Sequence, residues 1–337
     1  MSRFRSFLLL QLPLLTVSGL LLTGALAQQT PPANQAAPAA SAPKAAPALA
    51  TPVPPKADPN AAALLNKAIG QLDISKMGLL ETKIWEQVDT VGLSFQAEGS
   101  YLSAAGPDQG RAPRIRMDLS ILLGNTKSQL LIVNDGAWVW NQLKLGNDDP
   151  VITKYDLTKV QESLNAPGTM PTLADGFYRS QSFRGVAPLL QSMDKDMTFT
   201  KLENATWKKH DLYKLTAVWS ADVSKRLAQP GQPWPNFVPR TCYLYLGKEK
   251  DSPPYWPYRL EWWGPSGQKG DTLLMQMEFR DPYVLPAKGE LPKKYAQAFA
   301  FDPGKFKAED TTKQFLEHLK QARNMPSQTL PGGTKSP

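Results

Sequence analysis

Two histidines, one cysteine and scattered carboxylates are the side chains this 337-residue chain offers for covalent or metal chemistry. His210 follows Lys208-Lys209 in a polar stretch, and His318 lies beside Glu317 in a helix-like segment. Neither has a second ligand at metal-binding spacing, so both read as solvated histidines. No G-x-S-x-G elbow and no phosphate loop ending in Lys-Ser or Lys-Thr occurs. Asp148-Asp149 precede Pro150 and read as a turn. Cys242 sits in the strand-like run "RTCYLYLG", where a buried small hydrophobe is expected rather than a nucleophile. The pattern points away from an enzyme, and no cofactor or metal is expected.

The chemistry the sequence does offer is apolar contact. In "LLIVNDGAWVWN", from Leu130 to Asn141, an aliphatic run meets Asn134-Asp135-Gly136 and then two tryptophans one residue apart. Side chains two apart on a strand share a face. Leu130 goes with Ile132, Leu131 with Val133, and Trp138 with Trp140. Further on, Leu260 and Trp262 share a face with Trp263 opposite, and Met275, Met277 and Phe279 share another. A sheet with one wet face alternates more cleanly than this, so something must cover both faces. Phe95, Leu130, Ile132, Trp138, Trp140, Trp262, Met275 and Met277 are the candidate lining of a binding cavity, because methionine and aromatic walls adapt to greasy ligands. For any one of them, packing within a core is the simpler reading.

The elements that would carry these residues are mostly short strands. "PNAAALLNKAIGQL" has a helical apolar stripe, with Asn60 as its expected cap. From Leu79 the period falls to two. "LLETKIWEQV", "VGLSFQAEGSYLSA", "RIRMDLSILLG", "SQLLIVND" and "AWVWNQL" read as consecutive antiparallel strands, the last two joined by a tight Asn-Asp-Gly hairpin. "ITKYDLTKVQES" suggests a strand running into a helix, and "GVAPLLQSMDKD" a short helix. Strand signals return in "MTFTKLEN", "ATWKKHD", "LYKLTAVWS", "RTCYLYLG", "YRLEWWG" and "DTLLMQMEF", with a brief helix in "SADVSKRLAQ". "AEDTTKQFLEHLKQAR" reads as a terminal helix. The expected class is mainly β: a large antiparallel sheet of about ten strands with a few helices, which must curl or split.

The flanks read differently. Arg3 and Arg5, the apolar run Phe7–Leu22 and Ala25-Leu26-Ala27 make residues 1–27 an export signal, with an uncleaved membrane anchor as the rival. Removing it takes the formal charge from +8 to +6, since it carries two arginines and no acid. That mild balance, with no long basic run, argues against nucleic-acid binding. Pro and Ala fill 20 of the 32 positions from 28 to 59, a composition that buries no core and serves as a tether. One cysteine in an exported chain leaves no internal disulfide. The expected domain runs from 60 to 323, and 324–337 is a tail.

The order "SFQAEGSYLSAAG", "RAPRIRMDLSILLG", "LLIVNDGAWVWNQL", with "QMEFRDPYVLP" and "AFAFDPG" near the end, resembles the LolA/LolB-like superfamily of periplasmic lipoprotein carriers and sorting proteins. The resemblance implies an incomplete, strongly curved barrel whose concave face is covered by helices and holds lipoprotein acyl chains. It also implies a gating arginine near the Arg-Pro segment. Arg114 is the nearest match and Arg111 its rival, because Ala112 interrupts the motif. The middle insert, 158–197, and the Pro-rich spacer exceed the family pattern. Two functions are therefore expected: a monomeric, exported carrier for lipid or lipoprotein acyl chains that meets envelope membrane proteins, or a tethered envelope interaction protein with a solid core.

Overall fold

The computed structural model describes residues 56–90, 93–106, 112–166, 185–227, 234–235, 238–265, 270–286 and 290–317. The expected leader, most of the spacer, the tail, Arg111 and His318 lie outside them, as does 167–184 of the insert. The chain begins with helix α1 (Pro59–Gln71) and the four-residue turn α2 (Ile74–Met77). Strands β1 (Leu79–Thr90), β2 (Leu93–Ala104), β3 (Arg114–Leu123), β4 (Thr126–Asn134), β5 (Trp138–Leu145) and β6 (Val151–Asp156) follow. Helices α3 (Leu157–Asn165) and α4 (Val186–Asp196) lead into β7 (Met197–Trp207) and β8 (His210–Trp219). Next come α5 (Ala221–Leu227), β9 (Thr241–Leu246), β10 (Pro257–Pro265), β11 (Asp271–Leu285), α6 (Lys293–Ala298) and β12 (Ala308–Asp310).

Among the described residues, twelve strands join one open sheet in the order β12-β6-β5-β4-β3-β2-β1-β11-β10-β9-β8-β7. Every pairing is antiparallel except β12 on β6. Most pairings join sequence neighbours. The exceptions are β12 against β6 at one edge and β1 against β11, which closes the two halves on each other at the centre of the sheet.

Helix α4 reveals how strongly the sheet curls. Its N-cap, Gly185, lies against the Tyr101 hydroxyl on β2, and its last residue runs straight into β7. An α-helix of 11 residues is about 17 Å long. From β2 to β7 the sheet takes six interstrand steps of about 4.8 Å, roughly 29 Å along its surface. A rod that short joins those strands only if the sheet bends around it, so the face carrying α4 is concave. Gly99, central in β2, marks the bend: a Cβ there would lie 1.8 Å from the Asp118 carbonyl oxygen of β3. Helix α1 packs beside α4 and against β7.

Several expectations shift in detail. Asp58, not Asn60, caps α1, with its carboxylate accepting from Asn60 N and Ala61 N, and Pro59 occupies the first turn. "MTFTKLEN" and the "ATW" of "ATWKKHD" form one strand, β7, which ends at the positive-φ turn of Lys208, and His210-Asp211 open β8. The expected terminal helix starts later than its sequence suggests. Residues 308–310 become β12, and Thr311 N donates to Lys154 O at the edge of β6. Asp310 then accepts from Thr312 N and starts a helix seen at 312–317. Pairing with a distant strand outweighs local helix propensity there.

Candidate functional site

Register decides which side chains share the concave face. On β1, Leu80, Thr82, Ile84, Glu86 and Val88 are buried while Glu81 and Lys83 are exposed. Across β2 they face Ser103, Tyr101, Gly99, Ala97 and Phe95, and across β11 Ile84, Glu86 and Val88 face Phe279, Met277 and Met275. The same parity carries to Leu260 and Trp262 of β10, Leu244 and Cys242 of β9, and Met117, Leu119, Leu130 and Ile132 of β3 and β4. The result is one continuous apolar wall under α1 and α4.

Six of the eight residues singled out from the sequence stand on this wall: Phe95, Leu130, Ile132, Trp262, Met275 and Met277. Trp138 and Trp140 do not. They pair with Asp156 and Lys154 and project from the convex side, where Lys154 Nζ sits 4.4 Å and 4.9 Å from their ring centres. The Phe301 ring stacks on Trp140 at 5.0 Å. Their cover is the segment after β11. Tyr295 and Phe299 pack on Leu79, Leu102 and Ala104, and the Ala298 carbonyl accepts from Arg116 Nη1 at 3.2 Å. Both faces are covered, as the doubled apolar pattern requires, but by different parts of the chain.

Arg114 is also convex. Its Nε donates to Ala105 O at 3.2 Å, its guanidinium lies 5.3 Å from the Phe299 ring centre, and partial burial lowers its pKa. It therefore pins the convex strap rather than touching the wall. Cys242 is wholly buried between Trp262 and Ala217, and burial with the Glu261 charge nearby raises its thiol pKa. His210 stacks on Tyr258 at 4.3 Å. Among the described residues no cluster of His, Cys, Asp or Glu is arranged to hold a metal, and no helix is long and apolar enough to cross a membrane.

Among the wall residues not singled out from the sequence, Glu86 carries an acid. It is 2 % exposed and faces Ala97 and Met277, and among the described residues its buried Oε1 has no hydrogen-bond partner. Burial pushes its carboxyl up to about 8. Two other polar residues on this face are satisfied locally: Thr82 Oγ1 donates to Arg280 O at 2.7 Å, and Asn134 Oδ1 accepts from Gly136 N at 2.9 Å. The contrast with Glu278 on the convex side is sharper. Glu278 is 4 % exposed but receives Arg259 at 3.2 Å, Lys208 at 3.2 Å, Gln276 at 2.9 Å and Arg280 at 2.6 Å. The signal for Glu86 was present in "LETKIWEQV": counting by two from Leu80 through Ile84 to Val88 places it inward.

No protein-family model matches the sequence, and no curated protein sequence matches it. Among solved structures, LprF from Mycobacterium bovis is 13% identical, with a TM-score of 0.35, over 72% of this chain and 99% of that one. MucB is 13% identical, with a TM-score of 0.32, over 69% of this chain and 62% of that one. The LolA superfamily protein NE2245 from Nitrosomonas europaea is 12% identical, with a TM-score of 0.20, over 69% and 96%.

Proposed function

We propose that this is a non-enzymatic, exported binding protein whose concave wall takes up acyl chains when its helical cover moves aside. The observation that carries this reading is the continuous apolar wall from β4 to β9, closed by two short helices rather than by a second sheet. Hydrocarbon laid on such a wall leaves water at roughly 25 cal/mol per Å². The leader at 1–27 and the tether at 28–59 support an envelope location, where lipid or lipoprotein acyl chains are at hand.

A second reading is favoured by one observation. Trp262, Met275 and Met277 are only 2–3 % exposed, so the wall is closed at rest. A protein with that core filled permanently would be a tethered envelope interaction module. Tryptophan quenching by a brominated palmitic acid separates the two. Under the carrier reading the quenching saturates, Trp262→Phe removes a large share of it, and Trp138→Phe and Trp140→Phe leave it intact. Absence of quenching at every concentration, together with lipid-free organic extracts of native protein, establishes the filled core instead.

A further inference from the structure

Glu86 stands on β1, with six strands of the sheet on one side and five on the other. Its side chain points into the wall at its deepest strand, between Ile84 and Val88 and opposite Met277 and Ala97. Nothing local accounts for it. Among the described residues no hydrogen bond reaches Oε1, and the inward positions of β1, β2, β3, β10 and β11 hold no Lys or Arg. A buried polar atom without a partner opposes folding, so as mere packing Glu86 is worse than a leucine of similar size. Ala97, directly opposite, is a small buried side chain.

We propose that Glu86 is the polar anchor of the concave site, donating its carboxyl proton to the acyl carbonyl at the head of a bound chain. This rests on the acyl-binding reading above and adds the chemistry of the headgroup. A neutral carboxyl has one O–H donor and a carbonyl acceptor. In an apolar wall without a cation, its complement is a neutral group that accepts a hydrogen bond, and an acyl carbonyl meets that need. A free fatty acid and an ester-linked chain both present it. The wall would hold the tail and Glu86 would fix how far the head enters.

The test uses the full chain and three brominated probes of equal length: palmitic acid, its methyl ester and hexadecane, each followed by tryptophan quenching. The wild type should bind the acid and the ester about tenfold more tightly than the alkane, the yield of one neutral hydrogen bond made in an apolar site. Glu86→Leu should bring all three to the alkane level. Glu86→Gln, whose amide still donates, should keep the preference. An acid bound more tightly than its ester identifies the free fatty acid, and equal binding identifies the esterified chain. Carbonyl-13C-labelled palmitate supplies a second readout: its chemical shift should move on the wild type and not on Glu86→Leu. Equal affinity of the wild type for all three probes, or a preference that survives in Glu86→Leu, overturns the anchor while leaving acyl binding in place. No quenching of the wild type by any probe overturns the acyl-binding reading, and the anchor with it.

Discussion

The burial of Glu86 makes the stability of this protein depend on pH in a window where few groups contribute. Its carboxyl rises from an ordinary 4.5 to about 8 because burial penalises the charged form. Between those values the folded chain holds a proton that the unfolded chain has released. Stability from this group is therefore fully present below about pH 4.5 and falls as pH rises through the folded value. At about 1.4 kcal/mol per pH unit, the loss between pH 5 and pH 8 comes to about 3 to 4 kcal/mol. Other titratable groups in the wall cluster, such as Tyr101, Tyr258 and Cys242, are raised by burial and stay neutral throughout. Carboxylates that burial does not dominate, such as Asp281 and Asp310, are lowered by hydrogen bonds and stay ionised. Urea unfolding of wild type and Glu86→Gln at pH 5, 6, 7 and 8 isolates the effect, because subtraction cancels every shared group. The variant should gain on the wild type steadily across the series. A difference that stays constant with pH would mean that Glu86 is ionised and solvated in the folded state, and the reasoning about its environment would fail.

Three further outcomes follow from the packing. Gly99→Ala should destabilise severely or prevent folding, because the new methyl would meet the Asp118 carbonyl at 1.8 Å; thermal unfolding of the neighbouring Ala97→Ser, which keeps the bend, is the comparison. Glu278→Ala should cost about 3 to 5 kcal/mol in urea unfolding, by leaving Arg259 and Arg280 beside a vacated, buried position. Leu65→Ala should lower stability by about 2 to 5 kcal/mol and, by weakening the closure of α1 on the wall, tighten apparent binding of palmitic acid in a quenching titration.

Much of the fold was legible because it is local. Period-two alternation marks β1 to β5, and Asn134-Asp135-Gly136 sets the β4–β5 hairpin: Asn134 accepts from Gly136 N, and Asp135 from Ala137 N and Trp138 N. That turn already implies that Leu130 and Ile132 share one face and Trp138 and Trp140 the other. Which face is concave was not legible. It depends on β1 pairing with β11, nearly two hundred residues away, and on Phe301 returning to cover Trp140. The setting of Arg114 was not legible for the same reason, since its partner Phe299 comes from the far end of the chain. Glu86 was overlooked on chemical grounds: a carboxylate ordinarily marks the wet face of a strand, and here the period contradicts the residue type.

The two covering helices are not equivalent, and magnitudes suggest which one yields. Helix α4 runs without a linker into β7, so lifting it would disturb the edge of the sheet. Helix α1 is tied by the Asp58 N to Phe199 O bond and by its own packing, and it reaches β1 through α2 and the positive-φ hinge of Gly78. Its buried contacts are Ala61, Leu64, Leu65 and Ala68. At about 1.5 to 3 kcal/mol for each leucine and about 0.8 for each alanine methyl, exposing them costs about 5 to 8 kcal/mol. A palmitoyl tail of about 14 methylenes gains about 11 kcal/mol on burial by the same rule. One tail is thus enough to displace α1 and retain a modest net affinity. It is not enough to displace α4 as well, whose buried Val186, Leu189, Leu190 and Met193 would add about 6 to 12 kcal/mol. Under the proposed acyl-binding function, a site balanced in this way would close when empty and release its guest readily.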